Sequence, residues 1–424
     1  MHLALFGTLV LLFILRMPVA FCLGLSSLVY LLLFQPVPPI IIAQKMFTSI
    51  DSFPLTAIPF FILAGGLMET GGISRRLIDF ANNLVGFITG GLAHVSIVAS
   101  MFFAGISGAA AADTAAVGSV LIPAMSRRGY HLSFSAALQA CAGTIGVMIP
   151  PSIPLIFYGV LASASISRLF LGGAIPGVIM GLTLMGVAYL MSRKRGYPRE
   201  EFQGWRQLAV SFRRSSLALL MPVVVLGGII FGVVTPTEAA VLAVVYALLL
   251  GLVIYRELNV RRLYPIFVQA MINSTQVMFI ISVASVFAWI ITRELIPQQV
   301  AGLLGQVSTN PWVIMLIINV LLLIVGTFLD IGSSLIIFVP VLMPIVAKLG
   351  IDPVYFGVIM VVNLAIGMVT PPLGVCLFVA CGIAGIDLET IARDLWPFLI
   401  GMIGVLFLIT YVPGLVTWLP GFLK

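Results

Sequence analysis

Two aspartates stand in runs that are otherwise apolar. Asp113 lies within Met101–Met125 and Asp330 within Leu322–Val346, and neither run contains a Lys or Arg. In hydrocarbon an unpaired carboxylate costs about 2.5–3.5 kcal/mol on insertion scales. Each acid must therefore be protonated, cap a helix start, or keep a cation near. Asp113-Thr114 can cap the helix that follows it, whereas Ser333 and Ser334 already offer caps beside Asp330. Asp330 is thus expected to be the stronger cation ligand and Asp113 the stronger cap.

The neighbours suit a hard monovalent cation. Ser107, Gly108, Asp113, Thr144 and Gly146 in the first half supply hydroxyls, a carboxylate and glycines that admit close backbone. Asp330, Gly332, Ser333, Asn363, Gly367 and Thr370 do the same in the second. Oxygen donors with at most one carboxylate per site fit Na⁺ better than a divalent ion. Small residues also pack membrane helices, and any one of these serines alone reads that way. The same breaks expose half-helix N-termini, whose free N–H groups favour an anion, so a carboxylate is the expected cargo. Glu69, Glu238 and Glu294 fall at span ends and are expected to be solvated or interfacial.

The elements that position these residues occur twice. Pro123/Pro344, Gly129/Gly350, Gly146/Gly367, Pro150/Pro371 and Pro151/Pro372 are each 221 apart, without a gap. Each copy is a polar-interrupted hairpin, 92–125 and 312–346, followed by a broken span, 134–161 and 354–379. Paired broken helices in two halves point to the binding site of a secondary transporter. Non-helical backbone at that depth is tolerated only inside protein or beside water.

Composition sets the solvent. The 424 residues are 61% hydrophobic and 8% charged, more apolar surface than a soluble core can hide. The fold class is an all-α polytopic membrane protein whose apolar runs are long enough to span a bilayer. Leu3–Leu15 lacks the basic start and cleavage site of a signal peptide. It is short for a span, so a neighbour should shelter it. Cys22, Cys141, Cys376 and Cys381 lie in apolar runs and read as small core residues. His2, His94 and His131 show no metal-ligand spacing. No Walker loop or stacked-aromatic motif speaks for nucleotide or nucleic acid.

Charge sets the direction. Ser192–Ser216 carries Arg193, Lys194, Arg195, Arg199, Arg206, Arg213 and Arg214 and divides the chain into repeats 1–191 and 217–424. If this linker is cytoplasmic, counting spans puts 16 of the 21 Lys and Arg on its side, Arg16 among them, and five, including Lys45 and Lys424, opposite. Five crossings plus a hairpin per half is an odd count, so the repeats are inverted and both termini face outward.

The stretches Phe102–Met125, Gly143–Val160, Gly232–Val241, Thr292–Gln299 and Asn363–Phe378 closely resemble the large membrane subunit of TRAP (tripartite ATP-independent periplasmic) transporters. The resemblance runs from Arg16 to about Leu419. It implies an elevator-type, Na⁺-driven importer in the bacterial inner membrane, with no cofactor beyond the coupling ion. It also implies a small four-helix membrane subunit and a periplasmic binding protein that captures an organic acid such as a dicarboxylate or sialic acid. Because the chain opens at the large subunit, the small subunit is expected as a separate chain. The family holds ions and substrate at the hairpin tips and the broken helices facing them, which here are the positions around Ser107, Pro150, Ser152, Asp330, Thr370 and Pro371. A stand-alone anion carrier, and further off a channel or scaffold, are the other readings. An enzyme is not expected, for no nucleophile–base pair is present. The topology is checked by Gln203→Cys and Lys424→Cys in a background lacking the native cysteines: they should label from opposite sides of the membrane, and labelling of both from the periplasm would end the inverted reading.

Overall fold

Proline and glycine decide where the apolar runs part into separate helices. The computed structural model describes residues 2–15, 17–34, 37–308 and 310–423; Arg16 and Lys424, used above for the charge count, lie outside them. Among the described residues the chain is helical, without strands. The first half contains α1 (His2–Ile14), α2 (Val19–Phe34), α3 (Pro39–Ile50), α4 (Ala57–Thr70), α5 (Ile73–Val85), α6 (Gly91–Ser107), α7 (Ala110–Arg127), α8 (Leu132–Gly143), α9 (Ile153–Leu161) and α10 (Ile166–Arg195). The second contains α11 (Trp205–Ile230), α12 (Pro236–Leu248), α13 (Val260–Arg293), α14 (Ile296–Val307), α15 (Pro311–Gly326), α16 (Ile331–Lys348), α17 (Pro353–Gly367), α18 (Val375–Ala384), α19 (Leu388–Tyr411) and α20 (Gly414–Thr417). Proline opens α3, α12, α15 and α17, where its missing N–H has no partner to lose.

The 221-residue register extends to whole helices. The return helix α7 spans 110–127 and α16 spans 331–348, the same bounds displaced by 221. α3 and α4 together match α13 at that offset, yet the first is interrupted around Asp51–Thr56 and the second runs unbroken for 34 residues. Among the described residues, seven helical stretches are long and apolar enough to cross a membrane. The hairpins and broken spans divide as expected, at Gly108-Ala109, Thr144–Ser152, Thr327–Asp330 and Met368–Gly374.

The halves interlock. α4 packs along α12, and α13 lies against α2, α3 and α4. The return helix α7 packs on α8 and on α18 of the other half; α16 packs on α17 and, across the halves, on α9. The amphipathic arm α5 buries Ile73, Leu77, Ile78 and Phe80 against α6 and α11, and its counterpart α14 lies on α16. The connection between halves is shorter than the basic stretch Ser192–Ser216, because α10 continues through Arg195 and α11 begins at Trp205. Residues 196–204 are tied down: the Pro198 carbonyl accepts from Gly91 N at 3.3 Å and Tyr130 Oη at 3.2 Å. Glu200 pairs with Arg128 at 3.1 Å and accepts from Asn82 Nδ2 at 2.8 Å.

One contact fixes the second hairpin to its broken helix. A Cβ on Gly367 would lie 2.5 Å from the Gly326 backbone, so α15 and α17 meet there only through glycine. Gly367→Ala must push them apart, at about 1–3 kcal/mol for overpacking, and should lower the melting temperature of the purified protein. Gly404→Ala, with open space around it, should not.

Candidate functional site

The interruptions converge on one cavity of about 920 Å³ between α4 and α13 on one side and the hairpin tips on the other. That volume is in the usual range for small-molecule sites. Of the sequence-predicted residues it gathers Ser107, Gly108, Asp330 and Gly332. Val147, Ile153 and Pro154 from the first broken span, and Met368 from the second, close it.

The first tip is built by glycine. Gly108 ends α6 in the left-handed region at φ +66°, and a Cβ there would lie 2.6 Å from the Pro151 carbonyl oxygen. A side chain is thus excluded by both conformation and space. The Gly108 carbonyl accepts from Ile153 N at 3.3 Å, locking tip to loop. α7 then starts after Ala109, whose side chain cannot cap it. The first-turn N–H groups at Ala110, Ala111 and Ala112 therefore keep no side-chain partner, and these residues line the cavity. The starts of α9 and α16 reach the same space through Pro154 and Asp330, so three positive helix ends surround it.

The capping falls to the other acid than expected. Asp330 is the N-cap of α16, its Oδ2 accepting from Ser333 N at 3.1 Å and its Oδ1 from the Ser333 hydroxyl. Asp113 caps nothing, because the helix has already begun three residues earlier, at Ala110. It is fully buried; Oδ1 accepts from the Ser107 hydroxyl, and Oδ2 has no hydrogen-bond partner. That second oxygen points at the turn Thr144–Val147, where a Cβ on Gly146 would lie 1.9 Å from it. Ser107 and Asp113 thus form a buried polar pair just behind the tip, packed against the glycine at 146, with one carboxylate oxygen left over. Thr144 adjoins it, with its hydroxyl donating to the Cys141 carbonyl at 2.7 Å.

The remaining predicted residues stand off the cavity. Ser152 N-caps α9 by accepting from Leu155 N at 3.3 Å and donates to the Val147 carbonyl at 2.6 Å, holding the first Pro-Pro loop together. Pro150 is buried in that loop, whereas Pro371 is exposed and Thr370 half-buried, its hydroxyl donating to the Ile366 carbonyl at 2.7 Å. Asn363 joins a buried network: its Nδ2 donates to Asn319 O at 2.9 Å and Oδ1 at 3.0 Å, and Asn319 Nδ2 donates to Thr410 Oγ1 at 3.0 Å. Asn363 Oδ1 and Ser334 Oγ, on the adjoining helices α17 and α16, are buried without a hydrogen-bond partner.

Sequence reading missed the facing wall. Glu69 and Thr70 of α4, and Arg262, Gln269, Asn273 and Gln276 of α13, all line the cavity. The signal was present: polar residues recur every three or four positions along an otherwise apolar helix, which puts them on one face. Glu69 lies exposed at the end of α4, as expected, and also lines the cavity, while Glu238, likewise exposed, closes a capping box with Thr235.

Comparisons agree with this architecture. A family model described as the tripartite ATP-independent periplasmic transporter, DctM component, matches residues 6–415. The isethionate TRAP transporter permease protein DctMQ of Oleidesulfovibrio alaskensis is 46% identical over 98% of this chain, which spans 66% of that relative. The sialic acid TRAP transporter large permease protein SiaM of Vibrio cholerae is 41% identical over 98% of this chain and 97% of its own length. The C4-dicarboxylate TRAP transporter large permease protein DctM of Pseudomonas aeruginosa is 40% identical over 95% and 94%. Among solved structures, the Alcanivorax borkumensis YdaH transporter superposes with a TM-score of 0.64 over 88% of this chain and 87% of its own, at 14% identity, a likeness of fold alone.

The capping geometry makes a direct prediction. Asp330→Ala should cost about 1 kcal/mol of stability and Asp330→Asn only a few tenths, since Asn caps as well as Asp. Melting temperatures of the two purified variants check it.

Proposed function

The chain belongs to the DctM component family of the tripartite ATP-independent periplasmic transporters, a multi-pass inner-membrane permease and not an enzyme, and from that premise we propose that it imports a small organic anion together with Na⁺. Secondary transport of organic acids is the activity that its relatives' names share. The finer reading adds three things: Na⁺ coupling, delivery by a periplasmic binding protein, and a separate small four-helix subunit packed against the scaffold helices and away from the hairpins.

The observation that carries the reading is the pairing at the first tip. An uncapped helix N-terminus faces the cavity, and directly behind it a buried carboxylate keeps one oxygen free. The cavity wall itself holds Glu69 and Asp330 against Arg262. An anion entering there meets more negative than positive side chains, so a bound cation nearby lowers the cost of its arrival. In this account the substrate's acid group accepts from the N–H groups of Ala110–Ala112. Na⁺ is held by Ser107, Asp113 and the backbone at Gly146, with a second ion near Ser334 and Asn363. Carboxylate and sulfonate relatives both offer an acid group of the right sign.

Access follows from the same geometry. Glu69, Thr70 and Arg262 lie at the end of the cavity that the charge count assigns to the cytoplasm, so the arrangement supports an inward-open form. The hairpins and broken helices would move as a body against α4 and α13, with inverted repeats giving the opposite opening.

Uptake in proteoliposomes, with the small subunit and binding protein present, tests the assignment. Losing a charged oxygen ligand is worth about 1.5–3 kcal/mol. Asp113→Asn should therefore raise the Na⁺ concentration for half-maximal uptake by roughly tenfold or more, at unchanged protein level. Asp330→Asn, whose cap survives, should shift it less. Normal Na⁺ dependence in Asp113→Asn would refute the cation site, and uptake without a Na⁺ gradient would refute the coupling.

A further inference from the structure

A second cavity, of about 620 Å³, opens where α10 ends and α19 begins. Lys194, Arg195 and Arg393 line it, and Met191 and Pro397 lie on the same helices one turn further in. Each helix therefore presents cationic residues at its tip and an apolar residue below, spaced three to four positions apart on one face.

The charges are not equivalent. Arg195 is spent on Asp394, donating to both its oxygens, with Nη1 at 3.2 Å from Oδ2. Ser133 at the start of α8 donates to the same carboxylate at 2.6 Å. This clamp ties α8, α10 and α19 together and satisfies Asp394. Lys194 and Arg393 have no ion pair among the described residues and are exposed. Two cations are thus left facing one cleft.

Depth identifies the ligand. On the same two helices, Leu190, Trp396 and Ile400 are 67%, 58% and 66% exposed, large apolar side chains of the kind that suits lipid contact, and tryptophan is enriched at membrane interfaces. A free anion would use the two cations and leave the apolar floor unused. A zwitterionic lipid would bring its own cation against Lys194 and Arg393. We propose that this cleft binds the phosphate of an anionic phospholipid, with its acyl chains running past Met191 and Pro397 along α10 and α19. Basic pockets between membrane helices take acidic lipid headgroups by this chemistry.

Native mass spectrometry of the detergent-purified full chain with phosphatidylglycerol, phosphatidylcholine and inorganic phosphate tests it. Wild type should retain phosphatidylglycerol over phosphatidylcholine. At about fivefold per basic side chain, Lys194→Gln/Arg393→Gln should weaken it by roughly 25-fold. Lys194→Arg/Arg393→Lys, which keeps both charges, and Arg206→Gln/Arg213→Gln, which removes two exposed charges of α11, should bind as wild type. Equal loss in the α11 variant would show general surface charge and overturn the site. Equal retention of phosphatidylcholine, or displacement of phosphatidylglycerol by millimolar phosphate, would overturn the anionic-lipid assignment, the latter in favour of a small-anion site. Should the glutamine variant not fold, the selectivity and displacement results on wild type still decide.

Discussion

Backbone that leaves the helix at membrane depth has to be covered by protein or face water, and the rest of this molecule is arranged around four such places. The first tip is covered by the first Pro-Pro loop, through Gly108 on Pro151 and Ile153. That loop is sealed in turn by Ser152, which both caps α9 and holds the Val147 carbonyl. The second broken helix is closed by glycine against glycine at Gly326 and Gly367, while its own Pro-Pro loop stays exposed. The interlocking of α7 with α18 and α16 with α9 follows, because each half needs the other to bury its breaks.

The halves share a frame and differ in chemistry. The partner of Asp113 at the 221 offset is Ser334, and that of Asp330 is Ala109. The two acids are therefore not copies of each other. One half has a buried carboxyl group and an uncapped return helix; the other has a capped return helix and a buried hydroxyl. Two-fold architecture thus gives two unlike polar points, a carboxyl group in one half and a hydroxyl in the other.

Much of this was legible in the sequence. The repeat offset predicts every hairpin and broken span, since proline and glycine punctuate helices locally and an offset needs no tertiary knowledge. The roles of the two acids were not legible, because capping depends on where a helix starts to within one residue. The run Ala109–Ala112 contains no start signal, yet α7 begins at Ala110, three residues before Asp113. Nor does the repeat predict that α3 and α4 part while α13 continues. The polar wall of α13 was readable from its spacing, but only a partner surface makes such a stripe a site.

The unbroken length of α13 has a mechanical consequence. At 1.5 Å per residue its 34 residues extend about 51 Å, past the roughly 40–45 Å between the polar faces of a bilayer. Arg261 and Arg262 stand at one end, and at the other Arg293 stacks over Trp289 with 5.3 Å to the ring centroid. A vertical slide in either direction would draw a guanidinium toward hydrocarbon, at about 2.5–3.5 kcal/mol once near the centre. The helix is thus moored at both faces of the bilayer, a fixed post against which the rest of the fold packs.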